Sequence, residues 1–253
     1  MNYLPGKFVW FEHVSNDLTK ARAFYEPLFN WHVERMALGD QSYHMIMAGN
    51  GSVGGLRKSE SPATKSHWAS YLSVLDVDRS YAQALAAGAK RVMQPTSYGA
   101  VGRGATITDP TGAEVCLWTG LEGDMPDPDD IPFGQWGWNE LWTNDVNKAV
   151  AFYEQVFGYT HDTMQLDLLG HYVILKTGDK MRAGITQSTD PKATPMWLPY
   201  VRVEDCDTTV ERALQLGAQK LLAPTDLQGI GRFSILQDPL GAAIAIIKPA
   251  PKG

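Results

Sequence analysis

The stretch "WFEHVSNDLTKARAFYEPLF" from Trp10 recurs as "WNELWTNDVNKAVAFYEQVF" from Trp138. Between Trp10–Met36 and Trp138–Met164, 12 of 27 positions are identical without a gap, at an offset of 128. Later stretches match at an offset of 129: "RGATITDPTGAEVCLW" (Arg103 to Trp118) pairs with "RFSILQDPLGAAIAII" (Arg232 to Ile247), and "VLDVDRSYAQALAAGAKRVMQPT" with "VEDCDTTVERALQLGAQKLLAPT". Whatever one half folds into, the other must fold into as well, so the chain is one fold duplicated. The join falls in the Pro-, Gly- and Asp-rich "GLEGDMPDPDDIPFGQ", which suits an exposed linker without a regular element. The division this predicts is a domain over residues 1–120, a linker over 121–134 and a second domain over 135–253.

Each half divides again. "GKFVWFEHVS" is short, aromatic and β-branched, as strands are. Asn16 or Asp17 can cap a helix, and Leu18, Ala21, Phe24, Tyr25 and Leu28 then form one apolar stripe at helical spacing. Three strand-like segments follow: "WHVERMAL", "SYHMIMA" and "SVGGLRK". The pattern restarts at "HWASYLSVLDV", with Asp76 or Asp78 as cap, Val77, Tyr81, Ala84 and Leu85 as the buried face, and Gly88 placed to end the helix. A strand, a helix and three more strands, without regular β-α alternation, argue for an α+β fold.

Those residues carry a resemblance. "NDLTKARAFYEPLFNW" with "ITDPTGAEVCLW", and "NDVNKAVAFYEQVFGY" with "LQDPLGAAIAII", resemble the vicinal-oxygen-chelate superfamily, which includes glyoxalase I, bleomycin-resistance proteins and extradiol dioxygenases. The tandem form, with "WxE" in the first strand, "DPxGA" near the end and a closing "KPAP", resembles a glyoxalase-like mycobacterial antigen group more closely still. The resemblance implies two tandem glyoxalase/bleomycin-resistance-type domains. Each would have two βαβββ modules forming a curved open barrel around a concave pocket. Domains of this superfamily exchange between chains; the two halves could instead pair within one chain.

Metal-dependent members hold a divalent ion on histidine, glutamine and glutamate from facing strands. Carried over position by position, those ligands fall at Val9 or Trp10, Gly137 or Trp138, Ala69 and Leu198, Gly55 and Gly184, and Cys116 and Ala245. Such a centre needs three or four converging donors. No metal ligand is therefore assigned, and no cofactor is expected.

Strand alternation identifies what else lines the pockets. If Trp10 faces the barrel, so does Glu12, and in the second half Trp138, Glu140 and Trp142 do. On the last strand of the first half, Glu114, Cys116 and Trp118 share a face. Glu12 and Glu140 are the candidate catalytic residues. An aromatic cavity raises a carboxylate's pKa and suits it to act as a general base or a polar anchor; the alternative is an inherited structural glutamate bonded to backbone or arginine. Trp10, Glu114, Cys116, Trp118, Trp138 and Trp142 are the candidate ligand-pocket residues. Arg103 and Arg232, kept by the repeat, suit either an anion at the pocket mouth or a surface ion pair. "DPTG" and "DPLG" are turn sequences and receive no chemistry. Phe24-Tyr25 and Phe152-Tyr153 are assigned to helix-sheet packing.

Composition narrows the partners. The net charge of −6, with basic residues scattered, argues against nucleic acid. No run is apolar enough for a membrane span and no secretion signal opens the chain, so a cytoplasmic location is expected. Cys116 and Cys206 show no CxxC spacing and fit reduced thiols. The function that follows is binding, with or without transformation, of a small carbonyl or aromatic molecule, by a monomer or homodimer without the usual metal centre. The alternatives are a drug-resistance-type protein that only sequesters its ligand, and halves that serve oligomerisation.

Overall fold

A computed structural model describes residues 2–38, 41–49, 51–62 and 64–251. In the first half the order is β1 (Phe8–Ser15), α1 (Leu18–Phe29), β2 (His32–Leu38), β3 (Gln41–Ala48), β4 (Gly51–Lys58), β5 (His67–Ser73), α2 (Val77–Ala86), β6 (Lys90–Ser97), β7 (Gly102–Thr108) and β8 (Glu114–Gly120). The second half repeats it: β9 (Trp136–Thr143), α3 (Val146–Phe157), β10 (Thr160–Leu166), β11 (Gly170–Thr177), β12 (Lys180–Gln187), β13 (Met196–Arg202), α4 (Cys206–Gln215), β14 (Gln219–Leu227), β15 (Gly231–Gln237) and β16 (Ala243–Pro249). This is α+β, with two βαβββ modules per half.

The structure selects one residue from each pair of candidate caps, Asp17 over Asn16 and Asp76 over Asp78, with aspartates at the matching positions of the second half. Asp17, Asp76, Asp145 and Asp205 each accept a hydrogen bond from a backbone N–H three residues on, satisfying one orphan donor of the first turn. The end of α1 is closed by Asn30 in the left-handed region, with φ 56°, where α3 uses Gly158. Of the apolar stripe, Ala21, Phe24, Tyr25 and Leu28 are buried, and Leu18, in the first turn, is half-buried.

Each half contributes one eight-stranded sheet. The strand orders are β2-β3-β4-β1-β5-β8-β7-β6 and β10-β11-β12-β9-β13-β16-β15-β14. Within a module the first strand runs parallel to the last, as β1 to β4 and β9 to β12, and the remaining pairs are antiparallel hairpins. Parallel neighbours need a crossover, which the helix and the first hairpin supply.

Two compact units form, and each takes one module from either half. One comprises Met1–Trp10, Ala69–Pro128 and Trp138–Trp197; the other comprises Phe11–Trp68, Asp129–Gly137 and Leu198–Gly253. The repeat divides the chain at the linker, whereas the units interleave the halves within one chain. The linker has no regular element but is tethered. In the first unit Asp124 accepts from Leu4 N and Ser73 Oγ, both at 2.6 Å, and Asp127 pairs with Lys7 and Arg182. In the second unit Arg202 binds Asp130 and the Ile131 carbonyl.

The turn aspartates have a role that turn geometry alone did not indicate. In the first unit Asp109 Oδ1 collects the N–H groups of Thr111, Gly112 and Ala113, and Oδ2 accepts from Tyr153 Oη at 3.0 Å. Tyr153 Oη accepts in turn from Trp197 Nε1. In the second unit Asp238 Oδ2 accepts from Tyr25 Oη at 2.9 Å, and Tyr25 Oη accepts from Trp68 Nε1. The Phe-Tyr pairs do pack in the core, but each tyrosine is also the middle of a buried Trp-Tyr-Asp chain joining modules from different halves. Asp238 has one more partner, His13 Nε2 at 2.8 Å, and His13 is 0% exposed. Its repeat mate, Leu141, is equally buried and apolar.

Neither Cys116 nor Cys206 forms a disulfide, and both are buried. Among the described residues no helix is long and apolar enough to cross a membrane.

Candidate functional site

Glu12 and Glu140 lie at the same point of the repeat, on the first strand of each half, and each is 3% exposed. A buried carboxylate must be hydrogen-bonded or costs several kcal/mol, so its partners reveal what the site was built to hold. Glu12 Oε1 accepts from Tyr43 Oη at 2.8 Å, and Oε2 from Arg57 Nε at 2.5 Å. Tyr43 comes from β3 and Arg57 from β4, which runs parallel to β1 with Gly55 opposite Glu12 and Arg57 opposite Val14. Gly55 is required here, because a Cβ at that position would collide with the Tyr43 hydroxyl.

The second half builds the same core differently. Gly184 lies opposite Glu140, and a Cβ there would collide with the Tyr172 hydroxyl. Tyr172 Oη donates to Glu140 Oε2 at 2.6 Å and accepts from Trp138 Nε1 at 2.8 Å. Glu140 Oε1 accepts from Trp142 Nε1 at 2.6 Å. Burial pushes the Tyr172 hydroxyl well above its ordinary pKa, and the Glu140 charge adds to this, so the hydroxyl stays a donor. The residue matching Arg57 is Thr186, opposite Trp142, and its buried Oγ1 has no hydrogen-bond partner among the described residues.

Trp138, Glu140 and Trp142 are thus brought together as the sequence predicts, with Tyr172 at their centre. The other predicted pocket residues gather elsewhere. Cys116 is buried, lies opposite Tyr71 in register and holds its sulfur 3.4 Å from Thr106 Oγ1. Trp118, two residues on, has Tyr71 and Tyr98 as ring neighbours at 6.1 and 5.8 Å. Glu114 opens β8 half-buried, opposite Thr108. Trp10 is half-buried in β1. Glu12 belongs to one compact unit, and Trp10, Glu114, Cys116 and Trp118 to the other.

Arg103 and Arg232 resolve as surface ion pairs. Arg103 grips Asp78 through Nε at 2.6 Å and Nη2 at 2.8 Å, and Arg232 grips Asp207 in the same way. A cavity of about 380 Å³ at the start of α3 is lined by Asn144, Asp145, Val146, Asn147, His171 and Gln187. It is a weaker candidate than the glutamate faces, because Asn144 Nδ2 is committed to the carbonyls of Pro191 and Ala193 and Asp145 to capping α3.

Tyr43, Tyr172 and Arg57 are not among the residues that the sequence singles out. A signal for the tyrosines is present: Tyr43 and Tyr172 recur at the offset of 129, and so do Gly55 and Gly184. A glycine kept in mid-strand marks a close approach. Arg57 has no such signal, since its mate is Thr186.

Residues 7–117 match the Glyoxalase/Bleomycin resistance protein/Dioxygenase superfamily, and residues 139–247 match the Glyoxalase-like domain. "Putative glyoxylase CFP32" of Mycobacterium tuberculosis is 32% identical over 258 residues, covering 99% of this chain and 97% of that protein. The chain belongs to the glyoxalase/bleomycin resistance/dioxygenase superfamily. A second relative, the anthracycline biosynthesis protein DnrV of Streptomyces peucetius, is 26% identical over 265 residues, covering 97% of this chain and 94% of that one. Among solved structures, the Mn(II)-bound glyoxalase from Novosphingobium aromaticivorans aligns at TM-score 0.64 and 16% identity, over 96% of this chain and 82% of that one. The 2,3-dioxygenase LapB from Pseudomonas sp. KL28 aligns at TM-score 0.64 and 14% identity, over 99% and 94%.

The superfamily's metal-dependent members raise the question of an ion here. Among the described residues no three His, Cys, Asp or Glu side chains are grouped as a metal's ligands would be. Glu12 is held by a hydroxyl donor and a guanidinium, which brings positive charge to the carboxylate. Glu140 is held by a hydroxyl and an indole N–H. Donors of this kind compete with a cation for the carboxylate oxygens, and neither set fits the nitrogen and oxygen ligands of a divalent ion.

Proposed function

We propose that this protein binds a small carbonyl-bearing or aromatic molecule on the strand faces that carry Glu12 and Glu140, with the two glutamates as polar anchors and without a bound metal ion. One observation carries this. In both halves a buried glutamate is held by a tyrosine hydroxyl seated over a glycine, at the level where the superfamily's metal ligands would stand. A mostly apolar, aromatic surface with a few fixed polar groups is what small-molecule recognition requires. The relatives' names agree in class, one being a glyoxylase by name and one belonging to anthracycline biosynthesis. Superfamily membership by itself does not specify a reaction.

Binding without turnover is the second reading, and a specific feature favours it. Both oxygens of each glutamate already accept a hydrogen bond from the chain, so a ligand's proton has to compete with those donors for the remaining lone pairs.

The experiment is a thermal-shift and product-formation screen of small aldehydes, aromatic ketones and quinones, run with EDTA and again with added Mn²⁺, Zn²⁺ or Ni²⁺. Ligand binding raises Tm by mass action. The expected result is a Tm rise that EDTA leaves intact and that E12Q or E140Q reduces. Stoichiometric metal in the purified protein, with binding or turnover lost on its removal, overturns the metal-free assignment. Binding unchanged in both variants overturns the anchors.

A further inference from the structure

The two halves differ at the cross-strand pair that joins β7 to β8 and β15 to β16. In the first half β7 lies against β8 with Gly104 opposite Trp118. The Trp118 indole lies along the β7 backbone: a Cβ on Gly104 would sit 3.0 Å from its ring, and one on Gly102 2.6 Å from it. In the second half the matching pair is Phe233 opposite Ile247. Phe233 is 1% exposed and stacks on Tyr200, with ring centroids 6.2 Å apart. The large and small members have changed strands, and the outcome changes with them. The second half fills its space with a buried phenylalanine, whereas the first keeps a half-buried indole on a glycine floor.

The surroundings of Trp118 are those of a ligand ledge. Tyr71 meets the indole edge-on at 81°, and Tyr98 flanks it at 46°. Tyr98, Val101 and Leu121 beside it are exposed, at 37%, 42% and 52%. Tyr98 and Val101 lie on the loop between β6 and β7, which is closed by Tyr98 N donating to the Gly102 carbonyl, and Leu121, just after β8, donates its N–H to the Val101 carbonyl. The second half has buried Leu227 in place of Tyr98.

We propose that Trp118, laid over Gly102 and Gly104 and walled by Tyr71 and Tyr98, is a stacking subsite for a planar aromatic ring, present in the first half only. An indole backed by glycine offers a flat apolar surface, and offset stacking on it favours planar rings over bulky ones. This rests on the small-molecule function proposed above and assigns its aromatic recognition to one half.

The test is calorimetric titration of the full chain with anthraquinone-2-sulfonate, which is planar, and with camphorsulfonate, which carries the same charge on a bulky frame. The wild type is expected to bind the planar probe at least tenfold more tightly. Gly104→Phe with Trp118→Ile transplants the second half's pair and is expected to weaken that binding tenfold or more, with the melting transition retained. Should the double variant lose its transition, Trp118→Leu, which removes the ring without adding bulk, is titrated in its place, with the same loss expected. Planar binding that survives loss of the indole, or camphorsulfonate binding equally well, overturns the subsite while leaving small-molecule binding standing. No binding by the wild type of either probe, or of the carbonyl panel, overturns the wider function as well.

Discussion

Glu12 and Glu140 occupy one repeat position, yet they draw their second donor from opposite sides of the same strand pair. In the first half Val14 is small and Arg57, opposite, reaches the carboxylate. In the second half Trp142 reaches it and Thr186, opposite, does not. Gly104 with Trp118, against Phe233 with Ile247, shows the same exchange. After duplication, the unit that stayed complementary is the cross-strand pair rather than the single residue. Directly opposed side chains fill one volume and share one set of partners. The two aspartate networks differ by addition instead: His13 is joined to Asp238, whereas the repeat position that would serve Asp109 holds Leu141.

The largest effect is expected where that addition sits. Asp238→Ala strands both His13 and Tyr25 in the core and should cost about 4 kcal/mol by urea denaturation, in line with breaking a buried pair. Asp109→Ala should cost less, about 3 kcal/mol, since only Tyr153 and the turn donors lose a partner. Equal losses would mean that His13 adds nothing. Acid sharpens the contrast. Burial alone would raise the Asp238 carboxyl, but the hydrogen bond and charge of His13 outweigh it and hold the group below its ordinary value. Below about pH 4 the unfolded chain then binds more protons at this site than the folded one. This stabilising contribution is complete above that range and is lost as pH falls through the folded value. Urea midpoints followed downward in pH should drop less steeply in Asp238→Asn.

An intermediate effect is expected at the glycines. Gly184→Ala should cost about 2–3 kcal/mol, because the new methyl displaces Tyr172 and crowds Trp138 Nε1 as well. Gly55→Ala, which meets only Tyr43 closely, should cost about 1–2 kcal/mol. A denaturation series that reverses this order would place the tighter site in the first half. The smallest effects belong to the exchanged pair. Arg57→Thr should cost about 1 kcal/mol, the arginine being 40% exposed and its pairing weakened by solvent. Thr186→Val, which removes a buried hydroxyl that has no hydrogen-bond partner among the described residues, should stabilise by about 0.5–1 kcal/mol.

The duplication, the βαβββ order, the helix starts to within a choice between Asn16 and Asp17 and between Asp76 and Asp78, and the placing of Trp138, Glu140 and Trp142 on one face were all legible in the sequence, because they depend on spacing along one chain. Capping spans three residues and strand alternation two, so both are local. Arg57 was not legible, since its meeting with Glu12 depends on the register of β4 against β1. Nor were the aspartates: "DPTG" and "DPLG" read as turns, and they are turns, but Oδ2 of each is turned to a tyrosine of the other half. Contacts between residues 44 and 213 positions apart leave no periodic trace. The sequence by itself determined that the chain is one α+β fold written twice, and where its glutamates and tryptophans lie on the strands. Only the tertiary structure decided which module packs with which, and so which donors surround each buried carboxylate, because burial forces every polar group to find a partner wherever the packed chain provides one.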